Sequence, residues 1–369
     1  MTEPAPASST GPLRLLITGA SGNIGTALLR ALGADDPGHR VTGVVRRTPP
    51  ATAPYDRVTW HELDLAGPRV AEDLAPLMAG VDAVVHLAWG FQPSRNVEYL
   101  RSTALGGTQA VIGAVERAEV PHLVHMSSVG AYCPAVDRSR VDESYPVDGV
   151  PTSPYSQHKA AAERMLDALE ARSGGRPTVT RLRPGFVLQR DAASGLMRYG
   201  LPGYLPAAAL RLLKVLPVDR HLLIPVVHAD DVADAILRAL RTPVGGAFNL
   251  AAEPPLDRDA IAAVFGAHPV HVPAKVLSIL VGLTWRARVQ ALEPGWVDLG
   301  FSVPQLNTTR ARHVLGWQPR VDAHAALAET LAGALAGAST PSPPLRPRTT
   351  GDLLRRLTRF GPVGDRHHT

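Results

Sequence analysis

The chain has 369 residues, 45% hydrophobic and 19% charged, which suits one large α/β domain with a smaller companion and excludes disorder over most of the length. A single cysteine, Cys133, excludes an internal disulfide framework and a cysteine-rich zinc site. The net charge of +5 is concentrated after residue 337, where six arginines against Asp352 and Asp365 leave a surplus of four; the rest of the chain stands at +1 and implies no nucleic-acid groove.

Met1 to Pro12 has no basic region followed by an apolar stretch, so it reads as a disordered N-terminus rather than a signal peptide. Leu13 to Thr18 reads as a strand, followed by a glycine turn and a helical pattern over Asn23 to Leu32. Further strands are expected at Val41 to Val45, Val58 to Leu63, Ala83 to Leu87, Leu123 to Met126 and Thr178 to Leu182. Helices are expected at Val97 to Ala118 and Ser153 to Arg172. Buried strands alternating with helices give an α/β fold with a doubly wound parallel sheet, the Rossmann arrangement. Gln189 to Leu223 loses the alternation and reads as an insertion that leaves the sheet. Ile224 to Val227, Asp230 to Leu240 and Ala247 to Leu250 look like a return to it.

The expected organisation is therefore a dinucleotide-binding domain from 13–188 and 224–253, a discontinuous substrate lobe from 189–223 and 254–337, and a Pro-rich basic tail over 338–369. The tail reads as solvated, with a partner-docking or membrane-surface helix at Asp352 to Phe360 as the alternative. No window reaches ~18 apolar residues, so no integral membrane segment is expected and the protein reads as soluble and cytoplasmic. Val276 to Leu283 is too short to span and reads as a buried or substrate-facing helix.

Thr18-Gly19-Ala20-Ser21-Gly22-Asn23-Ile24-Gly25 spaces its glycines GxxGxxG directly between strand and helix. The first permits the tight turn, the second clears room for a pyrophosphate, and the third allows close helix–sheet packing, with the helix N-terminus offering N–H donors to the phosphates. The second strand runs out into Arg46-Arg47 with no acid. Arginine can pair with the 2′-phosphate of NADP, whereas an acid there would favour NAD; a solvated arginine pair is the alternative. Asp64 and Leu65 could meet the adenine edge, or Asp64 could cap a helix. Leu87 and Ala88 suit close backbone contact with the cofactor, and His86 reads as structural.

Tyr155 and Lys159 stand four apart on one helical face. An ordinary tyrosine, with a pKa near ~10, is a poor base at neutral pH, and a nearby ammonium would lower that value. Ser127-Ser128 follows the fifth strand, where a hydroxyl can bond an oxygen on which charge changes. A strand-end serine cap and a surface Tyr/Lys pair are the bland alternatives for each piece alone.

Together these patterns resemble the extended short-chain dehydrogenase/reductases, the NAD(P)-dependent epimerase/dehydratase family. The resemblance runs from Leu13 to Pro319 and includes Tyr132, Arg183-Pro184-Gly185, Val227 to Val232, Phe248-Asn249-Leu250 and Leu315-Gly316-Trp317-Gln318-Pro319. It implies Tyr155 as general acid/base, Lys159 on the nicotinamide ribose, Ser128 orienting the reacting oxygen, and Pro184, Gly185, Phe186 and Val187 bordering the nicotinamide. It also implies a homodimer. Three departures stand out. Ala104 replaces an asparagine common in the family. Val129 and Gly130 stand where 4,6-dehydratases carry an Asp-Glu pair, which argues against water elimination. The stretch before Asp231 lacks a clear diphosphate-gripping arginine, Arg220 being the nearest.

The leading functional expectation is an NADP-preferring oxidoreductase acting on a small, fairly apolar carbonyl compound or secondary alcohol. The alternatives are a nucleotide-sugar epimerase with tightly held NAD, and a non-catalytic cofactor-sensing scaffold.

Overall fold

The computed structural model describes residues 11–90, 96–200, 207–290 and 292–347. Seven parallel strands form the central sheet: β1 (Arg14–Thr18), β2 (Arg40–Val45), β3 (Val58–Glu62), β4 (Ala83–His86), β5 (His122–Met126), β6 (Thr178–Pro184) and β7 (Gly246–Leu250), in the spatial order β7-β6-β5-β4-β1-β2-β3. Six helices matter for the site: α1 (Asn23–Asp35), α2 (Gly107–Arg117), α3 (Pro154–Ser173), α4 (Ala229–Arg241), α5 (Ala274–Arg286) and α6 (Pro294–Ser302).

The unbroken apolar runs of β1, β4 and β5 follow from burial on both faces. One core joins the sheet to α1 and α4 through Leu28, Leu32, Val232 and Ile236. The other joins it to α2 and α3 through Val111, Ile112, Val115, Leu166 and Leu169. Trp317, fully buried, donates its indole N–H to the Asp231 carbonyl and anchors the late Leu315 to Pro319 motif to α4. Strand order reverses between β1 and β4, and a doubly wound sheet opens its ligand crevice at such a point. α3 starts where Ser153 accepts a hydrogen bond from the Ser156 N–H with Pro154 in the first turn, and it stops at Gly174 with φ +62°.

Three sequence expectations are altered. Val226–His228 does not rejoin the main sheet; it pairs in parallel with Phe186–Leu188 as a separate ladder. The chain leaves β6 at Gly185, where a Cβ would lie 2.4 Å from the Pro225 carbonyl oxygen, so the two segments meet backbone to backbone. The apolar run of α5 is not buried: Val276, Ile279, Leu280 and Leu283 face solvent, because only the opposite side of the helix is covered by α6. The first part of the tail is not solvated either. Ser342 and Leu345 are buried, Thr340 accepts the Tyr55 hydroxyl, and Ser342 Oγ donates to the Ser21 carbonyl. Asp352 to Phe360 and the first ten residues lie outside the described residues. Among the described residues, no helix is long and apolar enough to cross a membrane.

Candidate active site

A cleft of about 330 Å3 runs along the C-terminal ends of β1, β2, β4, β5 and β6. Its floor is the glycine turn. Gly19 has φ +71°, and a Cβ there would lie 2.7 Å from Ala88 N, so both the turn and its approach to the end of β4 require glycine. A Cβ at Gly25 would meet the Ala20 carbonyl at 2.4 Å, so this residue packs the helix onto the turn. Gly22 caps α1 with no side-chain hydrogen bond, which leaves the first-turn N–H groups for a ligand. Ser21, Ile24, Leu87 and Ala88 line the cleft beside it. Asn23 does so too, while its amide donates to the Val187 carbonyl at 3.1 Å and ties α1 to the far wall. Gln189, which no sequence motif marks, completes that tie by donating to Asn23 Oδ1 at 2.6 Å.

At the β2 end, Arg46 donates to the Tyr99 hydroxyl at 2.9 Å, and that hydroxyl donates to Asp64 Oδ2 at 3.0 Å. Asp64 also accepts from the Ala66 N–H at 3.0 Å, and Leu65 is buried behind it. Partial burial, together with the neighbouring Arg46 and Arg346 cations, depresses the pKa of Arg47. Arg46 and Arg47 thus stand together at one mouth of the cleft, with the charge of Arg346 near enough to be felt at Arg47, an arrangement that an anion would relieve. Pro343, Pro344 and Leu345 close the same mouth from the C-terminal segment.

At the other end stand Ser128, Tyr155 and Lys159, with Pro184, Gly185, Phe186 and Val187 opposite. Tyr155 and Ser128 are hydrogen bonded, yet burial pushes the phenol up to about 12. The expected lowering by Lys159 is missing. The ammonium donates instead to the Met126 carbonyl at 2.7 Å and sits 3.4 Å from the centre of the Trp89 ring. Burial pulls its own pKa well down, opposed by Glu163. Gly130 leaves room for the tyrosine, since a Cβ there would lie 3.1 Å from the Tyr155 ring and press on it. Trp296 of α6 lies 4.9 Å from the Tyr155 ring, centre to centre, and Trp89 meets it edge-on at 6.4 Å.

Glu163, one turn beyond Lys159, is the site's hidden support. Its carboxylate accepts from Ser127, Arg181 and Arg183, and despite its burial these partners hold its pKa at about 2. It thereby links α3 to β5 and β6 just behind Ser128. The spacing 155, 159, 163 puts it on the same helical face, but nothing local in the sequence marks a helical glutamate as buried. Tyr132 and His86 lie outside the chemistry. Tyr132 donates to Asn249 Oδ1 at 2.7 Å. His86 bonds Thr18 at 2.7 Å and Thr108 at 3.2 Å and is held neutral by burial, with a pKa of about 3. Arg220 is not a cleft residue. The glycine floor, the uncapped helix end and the arginine mouth fit a nicotinamide dinucleotide.

The sequence profile of the NAD dependent epimerase/dehydratase family matches residues 15–251. The chain belongs to this family. It is accordingly an NAD(P)-dependent enzyme of the extended short-chain dehydrogenase/reductase type, whose relatives are oxidoreductases, epimerases and dehydratases. A ketoreductase of a farnesylated dihydroquinoline oxide from Stigmatella aurantiaca is 29% identical over 84% of this chain and 93% of its own. The decarboxylating sterol-4-alpha-carboxylate 3-dehydrogenase of Saccharomyces cerevisiae is 27% identical over 75% and 83%. The UDP-glucose 4-epimerase of Mycolicibacterium smegmatis is 30% identical over 87% and 96%. Among solved structures, the UDP-glucose 4-epimerase of Thermotoga maritima shares the fold with a TM-score of 0.66 at 19% identity, covering 87% of this chain and 98% of that one.

Val129 and Gly130 carry no acid, and the only carboxylate among the described cleft residues is Asp64, at the opposite mouth.

Proposed function

We propose that the protein is an NADP-preferring oxidoreductase that reduces a carbonyl group on a small, fairly apolar substrate, or oxidises the corresponding secondary alcohol. The observation that carries this reading is the lining around Tyr155. Trp89, Val129, Leu196, Trp296, Leu299 and Val303 surround the Tyr155–Ser128 pair, and among the described residues no arginine or carboxylate lines the cleft at this end, Glu163 being engaged behind it by Ser127, Arg181 and Arg183. A nucleotide sugar needs a grip for its diphosphate, and a dehydratase needs an acid and a base for the departing water.

The bound dinucleotide supplies or accepts the hydride. Tyr155 holds its proton firmly at neutral pH, the form needed to protonate an oxygen that gains negative charge during reduction. Ser128 donates to the same oxygen. The buried lysine adds positive charge near the carbonyl end of β5, and turning its ammonium from Met126 toward Tyr155 would ease formation of the phenolate required for oxidation. Trp89, Trp296 and Leu299 exclude water, which strengthens these interactions. Arg46 and Arg47 are assigned to the 2′-phosphate. The Stigmatella and yeast relatives are named for a farnesylated and a sterol substrate, and this supports the apolar assignment.

The test is Tyr155→Phe, assayed with NADPH against a panel of ketones and aldehydes. Turnover is expected to fall by about a thousandfold or more, while the NADPH dissociation constant stays within a few-fold. Turnover at the parent level would remove Tyr155 from the chemistry. The 30% identity to the mycobacterial epimerase favours a second reading; a chain that purifies with NAD retained and interconverts UDP-sugars would replace the first.

A further inference from the structure

α5 is rich in apolar residues beyond the face it packs against α6 and contains no acidic residue. Such a helix is ordinarily enclosed by protein or lipid. Here α6 covers one side only: Ser278 Oγ donates to Asp298 at 2.9 Å, and Gly282 rests against Pro294. On the other side Val276, Ile279, Leu280 and Leu283 are 43%, 62%, 51% and 55% exposed and follow the spacing i, i+3, i+4, i+7 of a single stripe. The stripe is bracketed by exposed cations, Lys275 at one end and Arg286 and Arg288 at the other, with no acid anywhere in 274–290. The Asp219 carboxylate accepts from the Ala274 N–H at 2.8 Å and joins the helix start to the strand pair Val215–Val218 and His268–His271. Arg211, Lys214 and Arg220, on the segment leading through that pair, are exposed as well.

We propose that the outward stripe of α5 docks on an anionic lipid bilayer, with the helix lying in the interfacial plane and its flanking cations at the headgroups. An amphipathic surface helix binds membranes through buried apolar area plus attraction to anionic lipid, and both components are present. A second copy of the chain is the poorer occupant. A two-fold contact through this stripe would bring Lys275, Arg286 and Arg288 of one copy against the same cations of the other, with no acid on α5 to separate them. The docked helix also backs the active-site wall, because α6, on which it packs, carries Trp296 and Leu299 into the cleft. The binding proposal does not depend on the carbonyl-reductase reading.

The experiment is sedimentation of the full-length protein with vesicles of phosphatidylcholine alone and of phosphatidylcholine mixed equally with phosphatidylglycerol, at low and high salt. The parent protein is expected to bind the anionic vesicles and to be released by salt. Ile279→Asp with Leu283→Asp should weaken partitioning by about tenfold or more, and Lys275→Ala with Arg286→Ala by several-fold. These positions are exposed, and unchanged cofactor binding will show that each variant is folded; if the aspartate variant fails that check, the charge variant and the salt dependence decide. No binding by the parent overturns the proposal. So does equal binding by parent and variants, which would place the contact elsewhere on the chain, or conversion of a parent dimer to a monomer by the aspartate pair, which would make the stripe a self-interface.

Discussion

Among the described residues, Arg46 is held at the cofactor mouth by a relay rather than by a partner of opposite charge: its guanidinium donates to Tyr99, and Tyr99 in turn to Asp64. That leaves its charge available to an anion, with Arg47 and Arg346 adding to the same field. Hydrogen bonds to a charged group contribute about 1.5–3 kcal/mol, so Arg46→Ala should weaken NADPH by about tenfold to a hundredfold while NADH changes by no more than a few-fold. Calorimetric titration of both cofactors checks this, and equal losses would show that Arg46 does not read the phosphate. Arg46, Ser128, Tyr155 and Lys159 were legible in the sequence because their chemistry is local to a strand end or one helical face. Glu163 was not, although it sits on the same face. A glutamate on a helix ordinarily means a solvated surface, and its burial here depends on Arg181 and Arg183 arriving from β6. The orientation of Lys159 was equally hidden, since Met126 and Trp89 come from separate strand ends.

At the scale of elements, the strands and helices of the sheet were readable because buried parallel strands and amphipathic helices write their periods into the chain. The segment Thr340 to Leu345 was not. A Pro-rich stretch looks like a linker, and its partners Tyr55 and Ser21 lie near the other end of the chain. The Thr26–Tyr55–Thr340 hydroxyl chain and the Ser342–Ser21 bond fasten it over the glycine turn, and Leu345 is buried in the cleft wall. It therefore belongs to the cofactor site. A chain ending after Gly337 should lose about tenfold in NADPH affinity, the scale of one net hydrogen bond, and should melt earlier. A chain ending after Pro347 should match the parent in both. Titration and thermal unfolding of the two truncations make the comparison; identical affinities would mean that the segment covers the cleft without supporting it.

For the molecule as a whole, the sheet carries a pH sensitivity unrelated to catalysis. His86, His122 and His125 lie inside it, on β4 and β5, and are at most 2% exposed. Burial holds His86 at about 3 and His122 at about 4, and it pushes His125 well down, with neighbouring cations adding to the shift at His86 and His125. All three are neutral when folded, whereas in the unfolded chain they take up protons near pH ~6.5. Their folded pKa values are depressed, so protonation favours the unfolded chain, and stability falls as the pH drops below ~6.5 toward the folded values. Glu163 acts in a separate, lower window. Its contribution is complete above its unfolded value and is lost only as the pH falls toward about 2. Between about pH 6 and 5 the slope therefore reflects the histidines, at up to about 1.4 kcal/mol per pH unit for each proton. Urea unfolding across that range should lose roughly 3–4 kcal/mol per pH unit. His122→Gln keeps a partner for Thr180, sits at the start of β5 away from the cleft, and should reduce the slope by about a third. A flat profile would mean that these histidines accept protons without unfolding the sheet.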